Sequence, residues 1–189
     1  MVCSKCSTDI VPVVVTAQTG LTAFNVSGTT THHTFALPVE HGKPADYNRL
    51  SQDQLNIIRQ TLRGLKVVMS MVSSLSLMYV HLRLTEVMAN NEPFGGISIV
   101  CFGDLLQLPP VEGNHPFMSV SFWEAKQHLG SVASMNVWQI FTYDELTINM
   151  RQSRDMQYGK LLLSARVGIL SDEDIRLLKA RLINAGVSE

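Results

Sequence analysis

The run Ile97-Ser98-Ile99-Val100-Cys101-Phe102, followed at once by Gly103-Asp104 and then by Gln107 and Pro109-Pro110, constrains this chain more than any other part of it. The run is apolar or small and rich in β-branching, the pattern of a strand buried on both faces. Gly103-Asp104 stops it and leaves a carboxylate at its carboxyl end. The two prolines fix φ and supply no amide hydrogen, so they cannot extend a central strand, and Gln107 is presented from a stiffened segment. Ligands of open parallel sheets gather at that edge, which makes Asp104 and Gln107 candidate site residues.

Strands and helices alternate through the rest of the sequence. Val11 to Thr16 reads as a strand, Leu21 to Val26 as a short helix, and Leu37 to Leu50 as a loop broken by Pro38, Gly42 and Pro44. Ser51 caps a helix through Leu62, with Leu55, Ile58 and Leu62 at helical spacing. Val67 to Met69 reads as a short strand, Ser74 to Ala89 as a helix and Asn90 to Gly96 as a turn. The motif strand spans Ile97 to Phe102 and is central. Val111 to Pro116 is a loop, Ser121 to Gln127 a helix and Val137 to Thr142 another strand. Further on, a helix through Leu161 to Arg166 is closed by Gly168, and Ser171 caps a helix with Asp172, Glu173 and Asp174 in its first turn. This order predicts an α/β fold built on a parallel sheet.

Gly103-Asp104-x-x-Gln107-Leu108-Pro109-Pro110-Val111 resembles the third motif of superfamily 1 DNA helicases, most closely the Pif-type branch. The resemblance implies that Gln107 senses the γ-phosphate of ATP and that Asp104 supports the metal side of the site. Val13-Val14-Val15-Thr16-Ala17-Gln18-Thr19-Gly20-Leu21-Thr22-Ala23-Phe24-Asn25, with Gly28, Thr30, His32 and Phe35, is similar to motif Ia, which serves single-stranded DNA. Thr19, Gly20 and His32 are the DNA-binding candidates, because a glycine lets the backbone approach a phosphate that a Cβ would obstruct. The family usually has proline where this chain has Gln18. Glu145-Leu146-Thr147-Ile148-Asn149-Met150-Arg151-Gln152 resembles motif IV, whose arginine, here Arg151, reaches the γ-phosphate from the second motor domain. A planar, permanently charged guanidinium suits that task.

The resemblance thus implies an incomplete RecA-like P-loop NTPase sheet, with residues 1–142 forming part of a first motor domain and residues 143–189 the beginning of a second. It implies ATP and Mg2+ as cofactors, single-stranded or forked DNA as partner, no small-molecule substrate besides ATP, no membrane, and a nuclear or mitochondrial location. Two features of the family pattern are absent. No Gly-x-x-x-x-Gly-Lys-Ser/Thr string occurs in the sequence, the expectation being that the P-loop has been lost to truncation. The acidic pair that should end the Val67 to Met69 strand is also gone: Val67-Val68-Met69 runs straight into Ser70-Met71-Val72, and Glu86 and Glu92 lie too far along to substitute. The aspartate of that pair would orient magnesium and the glutamate would activate water, so the shortened strand predicts a chain that does not hydrolyse ATP.

A formal net charge of -1 gives no basic footprint, so DNA binding rests on the motifs and not on electrostatics. His32-His33 has no Cys or carboxylate at ligand spacing, and Cys3-x-x-Cys6 lacks a second pair, so no metal site is expected. Cys101 reads as a core residue. The first residues lack the apolar core of a signal peptide, and the apolar stretch from Val67 to Val80 is too short to span a bilayer. Two functional readings follow. One is a fragment of an ATP-dependent 5′-to-3′ DNA helicase of repair, recombination and telomere maintenance, inactive as this chain. The other is a non-enzymatic, DNA- or partner-binding pseudohelicase remnant, or an artefact of a gene model or a Helitron.

Overall fold

The computed structural model describes residues 13–38, 46–62, 66–70, 72–106, 113–130 and 136–180. It divides into two compact units, Met1–Phe141 and Thr142–Glu189.

The first unit holds, in chain order, β1 (Val13–Ala17), α1 (Gly20–Asn25), β2 (Thr29–Thr30), α2 (Thr31–Thr34), α3 (Gln52–Leu62), β3 (Lys66–Ser70), α4 (Ser74–Met88), β4 (Ile99–Phe102) and α5 (Phe122–His128). The sheet order is β2-β1-β3-β4 and every pairing is parallel. The registers align Val14, Val67 and Ile99 in one row and Val15, Val68 and Val100 in the next. β3 therefore sits inside the sheet, paired on both sides, although the acidic pair that should follow it is missing. Val67 and Met69 are fully buried and join Leu77, Met78, Val80 and Leu84 of α4 in the core cluster. Burying each such aliphatic side chain contributes about 1.5 to 3 kcal/mol.

Local chemistry sets the boundaries. Ser51 and Gln54 form a reciprocal cap on α3: Ser51 Oγ accepts from the Gln54 amide at 3.4 Å and Gln54 Oε1 accepts from the Ser51 amide at 3.1 Å. Ser73 caps α4 through the Ser76 amide, and Ala89 ends it in the left-handed region at φ 50°. The following turn, Pro93–Gly96, holds Phe94 at φ 53°, a conformation that costs a non-glycine residue energy. The Phe94 amide donates to His81 Nδ1 at 3.0 Å and the two rings meet edge to face, which fixes the turn. Burial lowers the His81 pKa and so keeps that nitrogen free to accept. Gly95 is required here, since a Cβ would overlap the Leu84 carbonyl.

A buried polar network fastens the segment after α2 to α4. Arg83, 1% exposed, pairs with Glu86 at 2.6 Å and donates to the carbonyls of Asn48 (2.8 Å) and Ala36 (3.3 Å), with its guanidinium over the Tyr47 ring. Glu86 in turn accepts from Tyr47 Oη at 2.7 Å and from the Leu50 amide at 3.0 Å. Burial and that hydrogen bond push the Tyr47 pKa well above the ordinary phenol value.

Three expectations need correction. β4 is the outermost strand of the described sheet and not a central one, because only β3 pairs with it among the described residues. It begins at Ile99, two residues later than read. Val137 to Thr142 is not a strand: Val137–Ile140 is a 3-10 turn, because the Asn136 side chain captures the Trp138 amide at 3.1 Å. Trp138 and Phe141 then pack on the core, Phe141 edge to face with Phe94. The two-residue strand β2 was not anticipated either.

In the second unit, Asp155 caps α6 (Met156–Arg166) through the Tyr158 amide at 2.9 Å, and Gly168 closes it at φ 74°. Ser171 caps α7 (Asp172–Ala180). The Ser171 amide and hydroxyl hold the Asp174 carboxyl below its usual pKa range. Among the described residues no helix is long and apolar enough to cross a membrane.

Candidate nucleic-acid interface

Because the four strands run parallel, their carboxyl ends share one edge. β1 delivers Gln18, Thr19 and Gly20 there, β3 delivers Ser70, and β4 leads into Gly103 and Asp104. β2 passes directly into α2 with His32.

The Thr19-Gly20 turn is held from inside. Thr19 is extended (φ -110°, ψ 152°), and its Oγ1 accepts from the Thr22 amide at 3.3 Å and meets Thr22 Oγ1 at 2.8 Å. The Gln18 amide donates to Ser70 Oγ at 3.1 Å, which ties the ends of β1 and β3. A Cβ on Gly20 would meet nothing within 4 Å, and its φ is not positive. Among the described residues, neither packing nor backbone conformation therefore requires glycine at that position. The open space is the property a phosphate-contacting backbone needs.

α2 is fastened to the same edge. Buried Thr31 donates to the Ala17 carbonyl at 3.2 Å and lies 3.4 Å from Thr16 Oγ1, while Thr30 Oγ1 caps the helix through the His33 amide. His32 is half-buried and burial lowers its pKa, so near neutral pH it offers a hydrogen bond and no positive charge. From Val13 to Thr34 the sequence contains no Lys, Arg, Asp or Glu.

Asp104 is half-buried, and its Oδ1 accepts from the Leu106 amide at 3.0 Å, so part of the carboxylate closes its own turn. Gln107 lies outside the described residues. Arg151 belongs to the second unit and is exposed, two residues beyond Asn149, whose Oδ1 accepts from the Gln152 amide at 3.1 Å. Cys101 is no reactive group, since burial pushes its thiol up to about 12. Sequence reasoning missed the Ser70 and Thr31 ties. The run Thr29-Thr30-Thr31 was their only visible signal, and which hydroxyl turns inward depends on the sheet.

A parallel α/β sheet with polar turns gathered on its carboxyl edge is the arrangement of an α/β ligand-binding domain, and the comparisons specify the class further. The profile of the PIF1-like helicase family matches residues 3–172, and the chain belongs to that family. It is 30% identical to the ATP-dependent DNA helicase PIF1 of Saccharomyces cerevisiae strain YJM789 over 88% of this chain and 19% of that protein. It is 31% identical to ATP-dependent DNA helicase PIF1 of Homo sapiens over 88% of this chain and 25% of that protein. Among solved structures, Bacteroides Pif1 bound to ssDNA aligns with a TM-score of 0.65 and 25% identity, over 93% of this chain and 42% of that one. A structure of two coordinating Pif1 helicases at forked dsDNA aligns at 0.69 with 27% identity, over 93% of this chain and 43% of that one. The chain thus spans 19% and 25% of the length of these two curated relatives.

The residues present do not fit a magnesium–nucleotide complex. At the carboxyl end of β3 stands Ser70, a neutral hydroxyl already engaged by the Gln18 amide, and no carboxylate occurs from Lys66 to Thr85. Magnesium in phosphoryl-transfer sites is held by carboxylates together with the phosphates, and the backbone cradle for those phosphates is not in this sequence.

Proposed function

We propose that this chain is part of an ATP-dependent DNA helicase that unwinds DNA 5′ to 3′ in nuclear or mitochondrial repair, recombination and telomere maintenance. Its share of that task is to hold single-stranded or forked DNA on the carboxyl edge of the sheet through Thr19, Gly20 and His32. Residues 1–142 are the partial first motor domain and residues 143–189 the start of the second. Asp104, Gln107 and Arg151 are its nucleotide-side residues, which act only where a phosphate cradle and Mg2+ ligands face them. As it stands the chain binds DNA and does not hydrolyse ATP. The observation that carries this reading is the Thr19-Gly20 turn, braced by Thr22 and Ser70 yet open to solvent over Gly20.

Two measurements on the 189-residue chain test it. Fluorescence anisotropy with a labelled oligothymidylate should show saturable binding without nucleotide. Calorimetry with ATP and magnesium should show no tight site and no turnover. Micromolar ATP affinity, about -8 kcal/mol, would contradict the nucleotide half, and failure to bind the oligonucleotide would contradict the DNA half.

A further inference from the structure

The segment that carries the proposed DNA edge is uncharged from Val13 to Thr34, His32 there is neutral near pH 7, and the whole chain carries a formal net charge of -1. Nonspecific nucleic-acid binding ordinarily draws on cationic contacts to phosphates. This edge has none within its own segment, so another source of attraction is needed. The same helix supplies one. Phe24 stands four residues after Gly20 on α1 and hence on the same face, about 6 Å further along the axis at 1.5 Å per residue. Its ring is 81% exposed, while the neighbouring Ala23, at 4%, anchors the helix to the sheet. A lone exposed apolar residue is ordinary on a protein surface. An unhidden aromatic ring one turn from a glycine that nothing in the fold requires is a more specific arrangement.

We propose that Phe24 is a base-stacking residue: its ring lies against a base of the single strand whose backbone passes over Gly20, and stacking, not charge, carries the sequence-tolerant part of the affinity. Every base has a π-face, so such a platform needs no sequence and no salt bridge. This inference rests on the DNA reading given above and adds to it a residue and a mode of binding.

The test uses the 189-residue chain and a fluorescein-labelled oligothymidylate. Phe24→Ala should weaken binding by roughly tenfold or more, as loss of a stacked base does, while Phe24→Tyr retains it. Ile57→Ala removes an aliphatic side chain that is 65% exposed on α3, away from the proposed edge, and should stay within about twofold of the parent. Phe24→Trp should show emission quenched by the oligonucleotide beyond the change in the parent, and the salt dependence of binding should be shallow. Because the ring is exposed, thermal unfolding of Phe24→Ala should match the parent. If the parent binds and Phe24→Ala binds equally well, or the Phe24→Trp emission does not respond at saturation, the stacking role is overturned while the DNA edge stands. A parent that does not bind overturns both.

Discussion

Glu86→Ala should lose about 3 to 5 kcal/mol of unfolding free energy, the cost of removing one partner from a buried ion pair. Glu86 accepts at once from Arg83, Tyr47 and the Leu50 amide, and Arg83 is almost wholly buried beneath Tyr47. With the carboxylate gone, the guanidinium keeps two carbonyl acceptors among the described residues and no opposite charge there, so the buried charge is uncompensated. A whole domain is stabilised by only about 5 to 15 kcal/mol, so the variant should be largely unfolded at moderate urea. Replacing the pair together, Arg83→Met with Glu86→Leu, should recover only part of the loss, because it removes the uncompensated charge but takes from the Tyr47 hydroxyl, the Leu50 amide and the Asn48 and Ala36 carbonyls the partners they have here. Urea unfolding followed by circular dichroism measures both. A loss under about 1 kcal/mol for Glu86→Ala would mean that water screens the network as it screens a surface pair.

In a longer family chain that supplies the P-loop and the acidic pair, Arg151→Ala should lower ATP turnover by ~10³-fold or more, the range for arginines that stabilise phosphoryl transfer. In the present chain Arg151 is exposed, and the same substitution should cost no more than the ~0 to 1 kcal/mol of a surface ion pair. The contrast follows from the chemistry: a guanidinium stabilises developing charge only when a γ-phosphate faces it. Steady-state hydrolysis in the longer chain decides the matter, and full DNA-stimulated turnover by Arg151→Ala there would remove Arg151 from the nucleotide side.

What could be read from the sequence follows the range over which each interaction acts. The β-branched runs at Val13 and Ile99 and the caps at Ser51 and Ser171 are written within a few residues, and the structure places strands and helices there. Val137 to Thr142 misled because its β-branched and aromatic pattern is that of a strand, while one Asn136 hydrogen bond and the packing of Trp138 and Phe141 decide otherwise. The Arg83–Glu86 pair is local, but the groups it holds, Ala36, Tyr47, Asn48 and Leu50, lie 35 or more positions away in the sequence, which made the network invisible. At the candidate edge, the motif resemblance marked Thr19, Gly20 and His32. It could not show that burial lowers the His32 pKa or that Ser70 braces the turn, since both depend on tertiary placement. The missing acidic pair was legible in sequence. β3 keeps its partners on both sides, because backbone pairing needs residues of β character and not carboxylates.

Hydrogen exchange of the 189-residue chain, read peptide by peptide with and without single-stranded DNA and with no nucleotide present, tests the DNA edge most directly. Protection should concentrate on Gln18 to Val26 and on the Thr30 to Phe35 segment, and leave α7 and α5 unchanged. Protection confined to α7 or α5, with the Thr19-Gly20 turn exchanging at its free rate under saturating DNA, would contradict the assignment of that edge as the nucleic-acid site.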